Sequence, residues 1–355
     1  MIGVSAYMFF PNFQTQEFDQ NVVENIMEGV TTTSIGEDSD SNITNNQDGN
    51  NVIESPIDSE PEIENLLRLN KTSVIDNNIT SYLLIGSDKR SNESADDYIE
   101  GQRADVIILG FFNETINKNA LISIPRDTLV TNLCTGEVER INASFKRNNC
   151  GNGAENIVAA VNNLTGIKIE HIASFNFEGF EKIIDSFNGI EICVEETQRE
   201  GYSFELQKGC QKVNGSTALN WTRSRNTEVL VGQKIVDEDG NDKSEWKKME
   251  YVSDLSRVER QQYLVIQLLN ELENFSSFGE LLQFIKALEE TFVVDEGLSI
   301  NKATNILWGL RTLDINDIAK LTVPTTPYQL NDGRQVLILN GNFYDFALEN
   351  LLIEE

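Results

Sequence analysis

The sequence is poor in positive charge. Its 355 residues include 28 lysines and arginines against 57 aspartates and glutamates, which gives a formal charge of −29. No extended run of lysine or arginine occurs, and neither residue precedes Arg68. Because the phosphate backbone of a nucleic acid repels such a chain, the composition argues against DNA or RNA binding. We therefore expect no nucleic-acid partner.

The sequence also lacks the motifs of several common enzymes. A single histidine, His171, and the absence of a CxxC pair argue against a zinc site. Neither GxGxxG after a strand nor GxxxxGK[ST] is present, so nucleotide-binding loops of those types have no support. The stretch GSD at 86–88 is not a GxSxG elbow, which leaves a Ser-His-Asp triad without its nucleophile motif.

The N-terminal region has no apolar run of membrane-spanning length. The apolar part of residues 1–13 covers about ten residues, roughly half of what spans a bilayer. We interpret it as the outer end of a truncated membrane anchor; the alternatives are a disordered apolar terminus and a misplaced start. Residues 14–66 are rich in Asn, Asp, Ser and Glu. Such a segment cannot bury enough apolar surface to offset the entropy lost on folding, so the composition predicts a disordered acidic linker.

The few cysteines fall into two pairs with similar short separations, Cys134 with Cys150 and Cys193 with Cys210. Among the three possible connectivities we predict these two disulfides. Each closes a loop of roughly fifteen residues, worth about 3 kcal/mol in the chain-entropy description. The alternative is four unrelated buried thiols. Disulfides would indicate an oxidising, extracytoplasmic location.

The pattern of apolar residues predicts an α/β fold. Short apolar runs at 81–86, 105–112 and 120–125 are typical of strands buried on both faces, and 153–166 has helical spacing with a terminal glycine. A strand–helix–strand alternation follows, then amphipathic helices at 254–273, 278–290 and 300–313. We predict a single-domain sandwich over 67–355, with core motifs at 80–275 and a central mixed β-sheet covered by helices. A β-hairpin is predicted within 229–248, with its turn near Gly240.

Charged residues concentrate where the predicted strands end. The stretches are GSDKR (86–90), QRADV (102–106), IPRDT (124–128), WTRSRN (221–226) and SDLSRVERQQ (253–262). Arg223 and Arg225 alternate like residues on one face of a strand, whereas Arg257 and Arg260 are neighbours on one helix face. Arginine suits bidentate phosphate recognition, and adjacent aspartates can hold Mg²⁺. The set predicts a diphosphate site; the alternative for any single pair is a surface ion pair worth about 0–1 kcal/mol.

These motifs occur together and in order, as LLIGSDKR, QRADVIILGFF, LISIPRDT, RINASF, LNWTRSRN and SDLSRVERQQ. In this the chain resembles the LytR-CpsA-Psr family of cell-wall glycopolymer ligases, from about residue 80 to 275 and more loosely to the end. The resemblance implies an α/β sandwich with an apolar pocket for a polyprenyl chain. The stretch between Arg225 and Asp254 is longer here than in many relatives.

The resemblance also implies a function. Such proteins are anchored at the outer face of the cytoplasmic membrane, so a membrane surface is an expected partner. They transfer a glycan phosphate from a polyprenyl-diphosphate carrier to a peptidoglycan hydroxyl and release polyprenyl phosphate. We therefore expect a magnesium-dependent phosphotransferase, and the paired cysteines, similar to those of the actinobacterial branch, favour an arabinogalactan-like product. The alternatives are a diphosphatase with water as acceptor and a non-catalytic lipid-glycan binding protein.

Individual site residues follow from the same resemblance. Asp88 and Asp105 match the magnesium-binding aspartates. Four residues match the arginines that face the diphosphate: Arg103, Arg126, Arg223 and Arg225. Three more match the helix motif that lines the same site: Arg257, Arg260 and Gln261. All seven are expected to be catalytic. The group that takes the acceptor proton is left open between Asp105 and Asp127.

Overall fold

The secondary structure is taken from a computed structural model, which describes residues 14–16, 18–33, 79–87, 103–113, 118–249, 254–288, 291–312, 317–343 and 346. The first strands in the chain are β1 (Gln14–Gln16), β2 (Ile79–Ser87), β3 (Ala104–Asn113), β4 (Lys118–Ser123), β5 (Leu129–Thr131), β6 (Val138–Arg140), β7 (His171–Asn176) and β8 (Ile190–Val194). The later strands are β9 (Gln198–Glu200), β10 (Phe204–Leu206), β11 (Gly209–Val213), β12 (Glu228–Val231), β13 (Glu245–Lys248), β14 (Phe292–Asp295), β15 (Ile318–Thr322), β16 (Thr325–Gln329) and β17 (Gln335–Leu339).

Helices lie mainly between and after these strands. The α-helices are α1 (Gln20–Thr33), α2 (Gly153–Thr165), α3 (Phe177–Ser186), α4 (Gly215–Arg223), α5 (Asp254–Glu271), α6 (Phe278–Ala287) and α7 (Ile300–Leu310). Two short 3₁₀ segments span Ile141–Ser144 and Leu272–Asn274. The predicted anchor at 1–13 lies outside the described residues.

A mixed sheet with the strand order β1-β14-β7-β2-β3-β4-β15 forms the centre of the fold, as predicted. The strands β2, β3 and β4 form an antiparallel meander, while β7 runs parallel to β2 and β15 parallel to β4. Leu83 and Ile107 face one core with α2, and Ile108 faces a second core with α5. Because both faces are covered, these strands read as continuous apolar runs rather than as alternating patterns.

The topology brings four strand ends to one edge of the sheet. The pairing of β2 with β3 places Ser87 opposite Ala104, and the parallel pairing of β2 with β7 places Ser87 beside Asn176. Since β4 returns antiparallel to β3, its last residue, Ser123, lies next to Ile108 near the same edge. Among the described charged residues next to these ends, Asp105 and Arg126 therefore meet in space.

Helix α2 illustrates how local sequence fixes the boundaries. The Asn152 side chain accepts hydrogen bonds from the first-turn amides, and the Glu155 carboxylate accepts one from the Asn152 amide, which completes a capping box. Gly166 ends the helix in a left-handed conformation, with φ of 70°. The predicted helix is confirmed to within one residue.

The predicted disordered linker over 14–66 is wrong for its first part. Gln14–Gln16 pair in parallel with β14, and helix α1 packs on α2 with Val23 and Ile26 buried in the main core. The Gln20 amide also donates to the Ile169 carbonyl oxygen at 2.6 Å. The polar composition of the whole stretch concealed one short amphipathic face, so the ordered fold begins before the predicted start at 67. Residues 34–66 lie outside the described part of the chain.

Two disulfides join Cys134 to Cys150 and Cys193 to Cys210, which confirms the predicted pairing. The second bridges directly opposed residues of the antiparallel strands β8 and β11. The predicted hairpin is also confirmed, because β12 pairs with β13 and Gly240 occupies the turn with φ of 84°. Across the described ranges, no helix combines the length and apolarity that crossing a bilayer requires.

The docking of α1 can be tested by mutation. Ile26→Ala removes side-chain carbons from the main core, and we expect the free energy of unfolding to fall by about 2–3 kcal/mol. Asn25→Ala, on the exposed side of the same helix, should change it by less than about 0.5 kcal/mol. Urea unfolding followed by circular dichroism measures both; equal, small effects would mean that α1 does not belong to the core.

Candidate active site

Asp105 lies in a β-bulge at the start of β3. Gly86 pairs with Val106 and Ser87 pairs with Ala104, so Asp105 has no opposite residue on β2. Such a bulge turns a side chain out of the regular alternation and is common beside active sites. A Cβ atom on Gly86 would lie 2.9 Å from the Cβ of Val106, so glycine is what permits the close approach of the two strands here.

Arg126 and Asp127 form a turn just after β4 that is fixed by its backbone. The Leu337 amide donates to the Asp127 carbonyl oxygen at 2.9 Å, and the Asn142 amide donates to the Arg126 carbonyl oxygen at 3.1 Å. The Thr128 hydroxyl donates to the Pro125 carbonyl oxygen at 2.7 Å. The turn is thus held to β17 and to the 3₁₀ segment, and its side chains project from a rigid base.

The side chains of this turn meet the bulge. The Nη1 atom of Arg126 donates to Oδ1 of Asp105 at 2.7 Å, which joins the end of β4 to the start of β3. The Nε atom of Arg126 lies 3.7 Å from Oδ2 of Asp127. Both carboxylates and the guanidinium are mostly buried, so the ion pairs lie in a partly desolvated environment where charge interactions are stronger than at a surface.

Arg140 extends this cluster and was not among the predicted site residues. Its Nη1 atom lies 3.4 Å from Oδ1 of Asp127, on the side away from Arg126. Its other guanidinium nitrogens donate to the Gln335 carbonyl oxygen at 3.0 and 2.6 Å. The sequence signal was present, because Arg140 opens the stretch RINASF, but a lone arginine beside a glutamate gives no indication of a distant partner.

Helix α5 brings Arg257 and Gln261 to the same place. Both side chains are buried, and together with Asp105 they line two small adjoining cavities. One of these cavities is also lined by Arg126 and Asp127. The predicted neighbourhood of Arg257, Gln261, Asp105 and Arg126 is therefore present in the structure; their catalytic role remains a prediction.

Arg260 points elsewhere. Its Nη1 atom donates to the Trp221 carbonyl oxygen at 2.9 Å, and both terminal nitrogens donate to the Thr227 hydroxyl. Burial lowers the pKa of the Arg260 guanidinium from its usual value, an effect partly opposed by the negative charge of Glu200. Arg260 thus binds the C-terminal end of helix α4, where the Trp221 carbonyl oxygen also accepts a hydrogen bond from the Ser224 amide at 3.4 Å, and it does not line the two small cavities.

The prediction that Arg223 and Arg225 alternate on a strand is wrong. Arg223 is the last residue of helix α4, and Arg225 lies exposed in the bend that follows. The Asn214 side chain caps this helix by accepting from the Thr217 amide, and Trp221 packs in the core beneath it. These contacts stabilise a helix, although the spacing of Arg223 and Arg225 suggests a strand. Arg223 still reaches the site, because it lines one small cavity and its guanidinium carbon lies 4.0 Å from the centre of the Phe177 ring.

The remaining predicted residues lie at the edge of this arrangement. Arg103 is exposed and immediately precedes β3. Asp88 directly follows Ser87 in the sequence but lies outside the described residues. Of the two aspartates expected to bind magnesium, the structure therefore describes only Asp105. Its carboxylate lines both small cavities and offers the hard oxygen ligands that Mg²⁺ prefers, which fits the predicted role.

An apolar cavity of about 300 Å³ adjoins the charged cluster. Its floor is the sheet, through side chains such as Leu84 and Ile108, and its roof is helices α5, α6 and α7. Every lining residue is apolar or aromatic. Phe175, Phe180 and Val265 line both this cavity and the small cavity that contains Arg223 and Arg257, so apolar and charged chambers share a wall.

Together, a mixed sheet, a charged cluster at one edge and an apolar chamber beside it define the class of α/β protein to which this chain belongs. A model of the LytR_cpsA_psr family matches residues 30–233, more than half of the chain. The chain belongs to the LytR_cpsA_psr family.

Curated relatives extend the comparison. The chain is 31% identical over 166 residues to a "Probable cell wall biosynthesis protein LcpB" of Corynebacterium glutamicum, covering 44% of this chain and 39% of that protein. It is 25% identical over 233 residues to the "Polyisoprenyl-teichoic acid--peptidoglycan teichoic acid transferase TagU" of Bacillus subtilis, covering 65% of this chain and 63% of that protein. The matches therefore span less than two thirds of the length of either relative.

Solved structures agree on the fold. The crystal structure of protein gbs0355 from Streptococcus agalactiae superposes with a TM-score of 0.60 and 21% identity, covering 77% of this chain and 85% of that one. This likeness establishes the mixed α/β architecture and leaves the chemistry to be argued from the site.

The structural role of Arg260 can be tested. Arg260→Met leaves the Trp221 carbonyl oxygen without this buried donor, so we expect the free energy of unfolding to fall by about 1–3 kcal/mol. Glu259→Ala, at the neighbouring exposed position on α5, should cost less than about 0.5 kcal/mol. Thermal and urea unfolding measure both. Wild-type stability in Arg260→Met would mean that the hydrogen bond from Arg260 to the end of α4 does not stabilise the protein.

Proposed function

We propose that this chain is a phosphotransferase that moves a glycan phosphate from a polyprenyl-diphosphate carrier to a peptidoglycan hydroxyl, attaching a cell-wall glycopolymer. One observation carries the proposal: an apolar chamber and an arginine-lined chamber share Phe175, Phe180 and Val265. A ligand that fills both must have an apolar chain joined to an anionic head. The name of the Bacillus subtilis relative, a polyisoprenyl-teichoic acid–peptidoglycan transferase, supports the same reading.

Each chamber suits one part of such a donor. Burial of the prenyl chain contributes about 0.8 kcal/mol for each CH₂ group removed from water. The guanidinium groups of Arg126, Arg223 and Arg257 provide planar donor sets for the non-bridging phosphate oxygens. The protein as a whole is strongly acidic, so this local excess of arginine is what distinguishes the site from the rest of the surface.

The transfer replaces the phosphoanhydride bond of the donor with a phosphodiester bond to the acceptor. The acceptor hydroxyl loses its proton as its oxygen attacks the phosphorus that carries the glycan, the bond from that phosphorus to the bridging oxygen breaks, and polyprenyl phosphate leaves with the bond's electron pair. The arginines neutralise the charge that develops on the leaving group and hold the donor in line. A magnesium ion held by Asp88 and Asp105 would supply further neutralisation of the diphosphate.

The location and product belong to the same proposal. Two disulfides fit an oxidising compartment, which supports a place on the extracytoplasmic side of the membrane. There, the donor would be supplied from the bilayer. The similarity to a cell-wall biosynthesis protein of Corynebacterium is consistent with the actinobacterial resemblance, and an arabinogalactan-like glycan is proposed on that resemblance alone.

One assay separates this function from the two alternatives. Purified protein is incubated with a polyprenyl-diphosphate glycan, with and without a peptidoglycan fragment, and release of polyprenyl phosphate is followed. Release that requires the fragment, with the glycan phosphate found on it, supports the ligase. Release without an acceptor would identify a diphosphatase, and binding without release would identify a lipid-glycan binding protein.

Substitutions at the charged cluster provide a sharper prediction. Arg126→Lys keeps the charge but not the planar donor set, and we expect a loss of transfer on the order of 100-fold, as for one oxyanion donor. Arg147→Lys, the same change at an exposed arginine, should be silent. If Arg126→Lys were also silent, the cluster would be an ordinary surface ion pair.

Asp105→Asn tests the metal part of the proposal by binding as well as by activity. Magnesium that binds only the folded wild-type protein raises its melting temperature, because any ligand of the native state does so. We expect this rise to disappear in Asp105→Asn, together with magnesium-dependent transfer. An unchanged rise in the variant would remove Asp105 from the metal site.

A further inference from the structure

Four charged side chains form a row of alternating sign at the edge of the sheet. The row runs from Arg140 through Asp127 and Arg126 to Asp105, with closest nitrogen–oxygen distances of 3.4, 3.7 and 2.7 Å. The inner end lines the small cavities of the candidate active site, and the outer end does not. The row therefore connects a residue outside the site to one inside it.

The outer end of the row is fixed by the fold. Arg140 is the last residue of β6 and pairs with Leu129 on β5. Its Nε and Nη2 atoms donate to the carbonyl oxygen of Gln335, the first residue of β17. Two residues further along that strand, the Leu337 amide donates to the Asp127 carbonyl oxygen. The Arg140 guanidinium is thus held against two strands while its remaining nitrogen faces Asp127.

The inner end needs such support. An arginine side chain loses rotamer entropy when it is fixed, and Arg126 must present its donors to a phosphate in one orientation. Asp105 holds one end of the Arg126 guanidinium, and Asp127 lies beside its Nε atom. If Asp105 also serves a magnesium ion, the carboxylate of Asp127 is what maintains the orientation of Arg126 from the other side.

We propose that Arg140 is a positioning residue that acts through Asp127 to orient Arg126 toward the phosphate of the donor. The inference rests on the proposed function to the extent that Arg126 binds a diphosphate. It assigns Asp127 to the same task, because both of its carboxylate oxygens face guanidinium nitrogens. Asp127 is then not the group that takes the proton from the acceptor hydroxyl.

The experiment uses inorganic pyrophosphate as a probe of the anionic end of the site, with binding measured by titration calorimetry on the full chain. Arg140→Gln should weaken pyrophosphate binding and lower kcat for glycan transfer by about tenfold or more, since even a misplacement of about 1 Å in a positioned group costs on the order of 100-fold. In an Arg126→Gln background the same change should have no further effect, because residues in one network are not additive.

Arg334→Gln is the matched control. Arg334 also reaches from the β16–β17 turn toward β6, with Nη1 3.5 Å from the Val138 carbonyl oxygen, but its ion pair is with Asp332 and not with Asp127. We expect wild-type pyrophosphate affinity and kcat in this variant. An equal loss in Arg334→Gln would show that both arginines only join β6 to the β16–β17 hairpin. Arg140→Lys replaces Arg140→Gln if circular dichroism shows that the latter does not fold.

Two further results overturn the inference. Wild-type affinity and turnover in folded Arg140→Gln would do so, and so would a full additional loss in the Arg126→Gln background. The proposed function is judged separately: wild-type protein that binds pyrophosphate but transfers no glycan would refute the transferase, while the binding comparison would still decide the role of Arg140. Wild-type protein that binds no pyrophosphate would refute both.

Discussion

The hydrogen-bonded ion pair between Arg126 and Asp105 is the contact on which the site depends. It closes the gap between the end of β4 and the start of β3, and it is possible only because the antiparallel meander returns both ends to one edge of the sheet. The bulge at Asp105 turns the carboxylate toward this contact, and the backbone hydrogen bonds of the Arg126–Asp127 turn fix the other partner. The residues of helix α5 then cover a cluster that the sheet has already assembled.

A second constraint is that the polar chamber and the apolar chamber share a wall. Buried guanidinium groups are costly unless they are paired, whereas a large apolar cavity loses contacts unless a ligand fills it. In the proposed function the prenyl chain of the donor fills the cavity, and its diphosphate lies against arginines that the protein already pairs, as Arg126 pairs with Asp105. Phe175, Phe180 and Val265 line both chambers, so in the proposed function the junction of head and chain lies beside them.

Much of this architecture could be predicted from sequence because it depends on local patterns. The strands β2, β3 and β4 are uninterrupted apolar runs, helix α2 has both of its caps, and the charged pairs follow the strand ends. What could not be predicted depends on tertiary contacts. Helix α1 is stabilised by packing in the main core. Arg223 lies on a helix because Trp221 packs in the core beneath that helix, although its spacing from Arg225 suggests a strand. Arg260 donates to a carbonyl oxygen of another helix. Arg140 donates to the Gln335 carbonyl oxygen, which lies almost two hundred residues away in the sequence.

If the two chambers bind one molecule, affinity must depend on the length of the prenyl chain, and this dependence is the most direct test. Pyrophosphate and a series of prenyl diphosphates of increasing length should be titrated against the same protein. We expect the dissociation constant to fall with each added isoprene unit until the apolar cavity is filled, and then to level off. A dissociation constant that is the same for pyrophosphate and for every prenyl diphosphate would contradict the account, because the apolar cavity would then play no part in binding the donor.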